Sequence, residues 1–216
     1  MDTSRKQPLG TLAAVTAAAA AALALAAAPA SAAPSEWTVG PGSPTAYTAL
    51  STDTVLSVNG FDLACPTADA AGKLFDATGN PAHVGDIDEA RFGSDSQPCV
   101  SPVGPVTPVA DTDPGWRIQA VTHEAEAGVT TGFIEGISAH ITIVTCDFDV
   151  TGEVAVSYVN ATGTLSISND DTRQLTVSNA TPGCIALVED GDHPTFTGSY
   201  VLDADGVHPT ITGTGT

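Results

Sequence analysis

Residues 137–188, ISAHITIVTCDFDVTGEVAVSYVNATGTLSISNDDTRQLTVSNATPGCIALV, decide the fold. Turn signals recur at Thr151-Gly152, Ala161-Thr162-Gly163, Asn169-Asp170-Asp171 and Pro182-Gly183. Between them stand short alternating runs, Val154/Val156/Tyr158, Leu165/Ile167, Leu175/Val177 and Ile185/Leu187. Alternation with a period of two, interrupted at even spacing, predicts an all-β antiparallel meander of the kind that builds barrels and sandwiches.

Two cysteines turn this pattern into a constraint on closure. Cys146 stands in the first of the five strands so counted, and Cys184 opens the fifth. In a flat meander they lie about 19 Å apart, four strand spacings of about 4.8 Å. Bridged Cα atoms sit within about 7 Å of each other. A bond between them requires the sheet to curl into a β-barrel or fold over as a β-sandwich. The place to bend is marked by a change of phase: Ile137, Ala139, Ile141 and Ile143 are apolar at odd positions, whereas Val144, Cys146, Phe148 and Val150 are apolar at even ones. A one-residue slip turns every side chain to the opposite face, so a β-bulge, or a strand buried on different sides along its length, is expected between Ile143 and Val144.

The strand pattern continues upstream. Trp37-Thr38-Val39, Ala46 to Leu50, Thr54 to Val58 and Phe61 to Cys65 read as strands, with Asn59-Gly60 as a hairpin turn. Ala68 to Phe75 contains Gly72 and no helical stripe, so it reads as strand or irregular structure. From Gly79 to Asp113 the pattern thins, and Pro98, Pro102, Pro105, Pro108 and Pro114 suit an extended crossing or edge segment, a domain linker being the rival. Trp116 to His123 alternates with Trp116, Ile118 and Ala120 on one face. At the far end His193-Pro194-Thr195-Phe196-Thr197-Gly198 returns as His208-Pro209-Thr210-Ile211-Thr212-Gly213, with Asp203 to Gly206 as the loop of a terminal hairpin.

Residues 1–33 read as a secretory signal peptide: Arg5-Lys6, an alanine-rich apolar run, then Ala30-Ser31-Ala32. Residues 34–216 form a single extracellular all-β domain, with no later segment long and apolar enough for a membrane span. This part sets four strong cations against 24 acids, a formal charge of −20. Such a field excludes nucleic acid and anionic lipid as partners and keeps a monomer soluble outside the cell. All four cysteines, Cys65, Cys99, Cys146 and Cys184, fall in the exported part, and an even count without a CxxC pair favours two disulfides over a metal site. Three pairings are formally open; the sequential one, Cys65 to Cys99 and Cys146 to Cys184, is favoured.

Motifs of catalysis fail on inspection. His123-Glu124 lacks the second histidine of a zinc protease, since Ala127 stands where it is required. Gly136-Ile137-Ser138-Ala139-His140 lacks the closing glycine of a nucleophile elbow, although Ser138 and His140 share a strand face. A hairpin places His193 and His208 about 26 Å apart, too far for one metal. Of the acid clusters, Glu189-Asp190-Gly191-Asp192 is the best candidate for calcium, yet none matches an EF-hand loop. Trp37 and Trp116 read as core or rim residues, and the Asn160 and Asn179 sequons fall in turns. No catalytic residue, cofactor or metal ligand is assigned.

The leader, the Trp37-Thr38-Val39 opening with Pro41-Gly42, the Asn160-x-Thr162-Gly163-x-Leu165 turn, the Leu175-x-Val177 strand and the Gly183-Cys184 junction resemble uncharacterised secreted β-proteins of actinobacteria. That resemblance implies a fold and an extracellular location, and brings no activity with it. The small acidic chromophore-carrying apoproteins of the same bacteria are similar in composition only. The sequence therefore points to a secreted, non-enzymatic binding or envelope-associated domain with an unknown ligand or extracellular partner. The alternatives are a secreted hydrolase with an acidic site assembled from loops, and an extracellular protease inhibitor using the proline segment around Cys99.

Overall fold

A computed structural model describes residues 33–215. The expected leader lies, apart from Ala33, outside the described residues. Sixteen strands run in chain order: β1 (Glu36–Gly40), β2 (Thr45–Ser51), β3 (Thr54–Val58), β4 (Phe61–Cys65), β5 (Ala68–Leu74), β6 (Ala77–Thr78), β7 (Ala82–Phe92), β8 (Cys99–Ser101), β9 (Gly104–Ala110), β10 (Trp116–Glu124), β11 (Val129–Ile143), β12 (Cys146–Val159), β13 (Thr164–Ser168), β14 (Leu175–Ser178), β15 (Thr195–Asp203) and β16 (Thr210–Thr214). One short 3-10 turn, Pro182–Cys184, interrupts them. The fold is all-β, and every strand pairing is antiparallel.

The strands close two hydrogen-bonded circuits that share their longest members. One runs β7, β10, β11, β12, β13, β15, β2, β5 and back to β7. The other runs β15, β3, β4, β8, β9, β11, β12 and β14. It is completed where Val177 bonds to Gly191 and Asp192, just ahead of β15. The 15-residue β11 and the 14-residue β12 are long enough to serve both. A separate sheet of β16, β1 and β6 packs beside β7, β10 and β11, with the Trp37 indole donating to the carbonyl of Gly79 at 3.0 Å.

Alternation explains the core. Along β12 the even positions Cys146, Phe148, Val150, Val154, Val156 and Tyr158 are all buried. On β10 Trp116, Ile118 and Ala120 are buried, as the sequence predicts. Phe133 faces outward and is buried anyway, because the Arg173 guanidinium lies 3.5 Å above its ring and is held there by Glu153.

Several expectations need correction. The phase change at Ile143/Val144 is neither a bulge nor a change of buried side: it is a hairpin turn, with Val144 at φ 54°, and β12 begins two residues later. The bulge lies upstream between Ile134 and Ile137, where Gly136 takes φ 74°. Residues 185–187 form no strand, because the chain after Pro182-Gly183 curls back to β12 and Ala186 takes φ 67°. Both disulfides follow the sequential pairing, with Cα separations of 4.2 Å for Cys65–Cys99 and 4.5 Å for Cys146–Cys184. The second, however, does not depend on closure. β14 pairs directly with β12, not with β13, so the two cysteines meet across adjacent segments.

The thin segment contains β7, an 11-residue strand hidden from the pattern by Gly85 and by a register shift opposite Ala71/Gly72. The proline run is β8 and β9, inside the domain and not a linker. The terminal hairpin also fails: Asp205-Gly206 turns the chain, but β16 then leaves to pair with β1.

Candidate functional site

The closed circuits bring inward-facing side chains together around two apolar spaces. One is lined by residues of the second circuit, among them Leu56, Leu63, Val106, Ile141 and Leu175, and has a volume of about 50 Å³. No polar atom is exposed within it. The other lies inside the first circuit among Tyr47, Ile118, Val154, Leu165 and Tyr200, with a volume of about 40 Å³. Phe92, Trp116, Ile137 and Phe196 line both.

Phe92 ends β7 and Phe196 is the second residue of β15, and their rings meet edge to face with centroids 5.9 Å apart. Both are only partly buried, as are Leu56, Pro108 and Ala139 on the walls, while Trp116 and Ile137 behind them are buried. Solvent therefore reaches the apolar space on the Phe92–Phe196 side. A T-shaped pair contributes about 0.5 to 1.5 kcal/mol beyond its buried area, enough to hold the position yet little enough to open. At this boundary Thr54 donates to Ser51 at 3.0 Å and stands 3.3 Å from the Tyr200 hydroxyl, so the buried hydroxyls satisfy one another. Burial pushes the Tyr200 hydroxyl up to about 12. Asp69 lines the second space and is paired with Arg91 at 3.3 Å.

The other candidate residues are engaged structurally. His140 faces Asp149 at 2.7 Å, and Thr142 donates to Asp147; the hydroxyl of Ser138 has no bond to His140. The His140 contact, followed by the bond from Asn179, holds Asp149 below the usual carboxylate range. Asp170 is lowered by the Thr172 hydroxyl and Asp53 by the Ser199 amide. All three shifts go against a protonated general acid, which a glycosidase-like site needs. His193 and His208 each bond a backbone carbonyl through Nδ1, of Leu175 at 2.9 Å and of Leu202 at 3.0 Å, so the repeat sets the starts of β15 and β16. In the 189–192 cluster Asp190 accepts from the Ala180 amide and Asp192 from Glu189 and Asn59. Among the described residues no group of three or more His, Cys, Asp or Glu is placed to hold a metal. Trp37 and Trp116 are core residues. The segment after Cys99 is a tight hairpin closed by Ser101 bonding to the carbonyl of Gly104.

Reading the sequence missed Phe92 and Phe196. Phe92 closes a strand hidden by its own irregular register, and Phe196 sits in a repeat that reads as punctuation; the one signal was that the second copy carries Ile211 where the first carries the aromatic. No helix among the described residues is long and apolar enough to cross a membrane. No family model, no curated protein and no solved structure matches the chain.

Proposed function

We propose that this is a secreted, monomeric, non-enzymatic binding domain that takes a small apolar ligand into the cleft behind Phe92 and Phe196. The observation that carries the reading is a partly open cleft whose exposed interior is wholly apolar, in a chain of strongly acidic composition. Pockets for small ligands are lined mostly by apolar and aromatic groups. Each buried methylene contributes about 0.8 kcal/mol, so a chain of several carbons offsets the cost of association without a polar anchor.

Trp116 lines the cleft and reports on its occupancy. Titration with 1-octanol, read as a saturable change in tryptophan fluorescence, tests the proposal. The change is expected to persist in Trp37→Phe and to vanish in Ala139→Phe, which fills the cleft. No saturable change in the parent, or an unaltered one in Ala139→Phe, overturns it. Native mass spectrometry of protein from culture medium then identifies the natural occupant.

A further inference from the structure

Exposed aliphatic side chains are not scattered evenly over this molecule. Among the described residues eight large apolar side chains are exposed, and four of them, Val100, Val103, Val144 and Ile185, belong to β8, the β8–β9 turn, the β11–β12 turn and the segment just after the 3-10 turn. These pieces adjoin at one tip. A Cβ on Gly104 would lie 3.1 Å from Val144 Cγ2, one on Gly183 would collide with the carbonyl of Thr145, and Cys184 is bonded to Cys146. Val144 and Ile185 are 65% and 80% exposed. Single exposed aliphatics mean nothing, whereas a cluster on adjoining loops marks an interaction surface.

Val144 adds a separate observation. It holds φ 54°, where a β-branched side chain is strained by about 1 to 3 kcal/mol and where Asn or Gly fits without penalty. Its side chain is mostly exposed, so burial in this fold does not explain the choice. Both disulfides stiffen the tip, since Cys99 begins β8 and Cys184 tethers the loop of Ile185. A rigid apolar surface loses little entropy when covered.

Charge indicates what covers it. Lys73, Arg91, Arg117 and Arg173 are all on or beside strands of the first circuit, each paired with a carboxylate. The tip carries none of them, and along the chain Asp147 stands three residues after Val144, with Glu189 and Asp190 four and five after Ile185. A second copy of this acidic chain is repelled, and so is an anionic lipid surface. We infer that the tip formed by Val103, Val144 and Ile185 docks a cationic polypeptide that presents aliphatic side chains among lysines or arginines.

The test uses a labelled peptide of alternating leucine and lysine, with fluorescence anisotropy as the readout. Val144→Asn together with Ile185→Ser is expected to weaken binding at least tenfold. Val144→Asn alone is expected to raise the melting temperature, because it relieves the strained backbone, and this separates loss of docking from loss of fold. Leu50→Ser, on another exposed apolar site, and Ala139→Phe, in the cleft, leave binding unchanged. A lysine-only peptide of equal length binds more weakly than the mixed one. Binding unaffected by the tip substitutions, or equally lost in Leu50→Ser or Ala139→Phe, overturns the inference. It is also overturned by sedimentation of the parent as a dimer that Ile185→Ser dissociates, or by capture on phosphatidylcholine vesicles that Ile185→Ser abolishes.

Discussion

The side-chain amide of Asn160 pairs with both backbone polar groups of Ile211, accepting from its N–H at 2.8 Å and donating to its carbonyl at 3.1 Å. Asn169 does the same for Phe196. Asn160 follows β12 and Asn169 follows β13. Asn169 thereby continues the β13–β15 ladder by one rung and holds one of the two aromatic rings at the cleft, whereas Asn160 ties the end of β12 to β16, a strand with which β12 does not pair.

Asn160→Ala leaves the Ile211 N–H without this partner, while Thr130 still donates to the carbonyl. An orphaned buried donor costs about 1 to 3 kcal/mol, and thermal unfolding is expected to shift down accordingly. A variant that melts with the parent would refute the bond's importance. The same contact occupies the nitrogen that a glycan needs, so intact mass after expression in a glycosylating host is expected to show Asn160 unmodified.

All three tyrosines, Tyr47, Tyr158 and Tyr200, are raised above the ordinary phenol range, chiefly by burial. In the unfolded chain they lose their protons near pH 10, while the folded protein still holds them. The native state then binds more protons, so stability falls as pH rises above about 10. Absorbance at the phenolate band is expected to appear together with loss of near-ultraviolet circular dichroism. Phenolate forming while the fold persists would contradict the burial.

Asp53 is lowered first by the Ser199 N–H, which donates to it at 2.8 Å, with the Ser51 hydroxyl adding to the effect. A carboxylate lowered on folding contributes stability above its unfolded value of about 3.9, and the contribution is lost as pH falls through the folded value. Asp53→Asn is therefore expected to destabilise at neutral pH and to converge with the parent in acid. A parallel offset at all pH values would show that the charge is irrelevant. The group is largely exposed, so the effect is modest.

Removing Cys146–Cys184 releases a loop of 38 positions, for which chain entropy predicts about 4 kcal/mol. Replacing both cysteines by serine is expected to lower the denaturation midpoint by a corresponding amount and to increase proteolysis at residues 185–187. Cleavage spread evenly over the chain would show that the bridge supports the whole fold and not this loop.

Much of the architecture was legible because it rests on local chemistry. Trp116, Ile118 and Ala120 alternate in sequence and are buried together in β10. Asn59-Gly60 takes positive φ at both residues, as a tight hairpin between β3 and β4 requires. β7 was hidden because a register shift breaks its alternation, and residues 185–187 misled because Ile185 and Leu187 alternate without pairing. The cleft was not legible at all: Phe92 and Phe196 are 104 positions apart, and nothing in either neighbourhood points to the other.

By itself the sequence determined the all-β class, the positions of most turns and the strong negative charge, since backbone conformational preference, side-chain alternation and ionisable groups are properties of neighbouring residues. Only the tertiary structure decided that β11, β12 and β15 serve two circuits at once, that β14 bypasses β13 to reach β12, and that an aromatic pair stands over an apolar space. Those outcomes depend on which strand edges find each other across long separations, and edge pairing uses backbone groups that every residue carries alike.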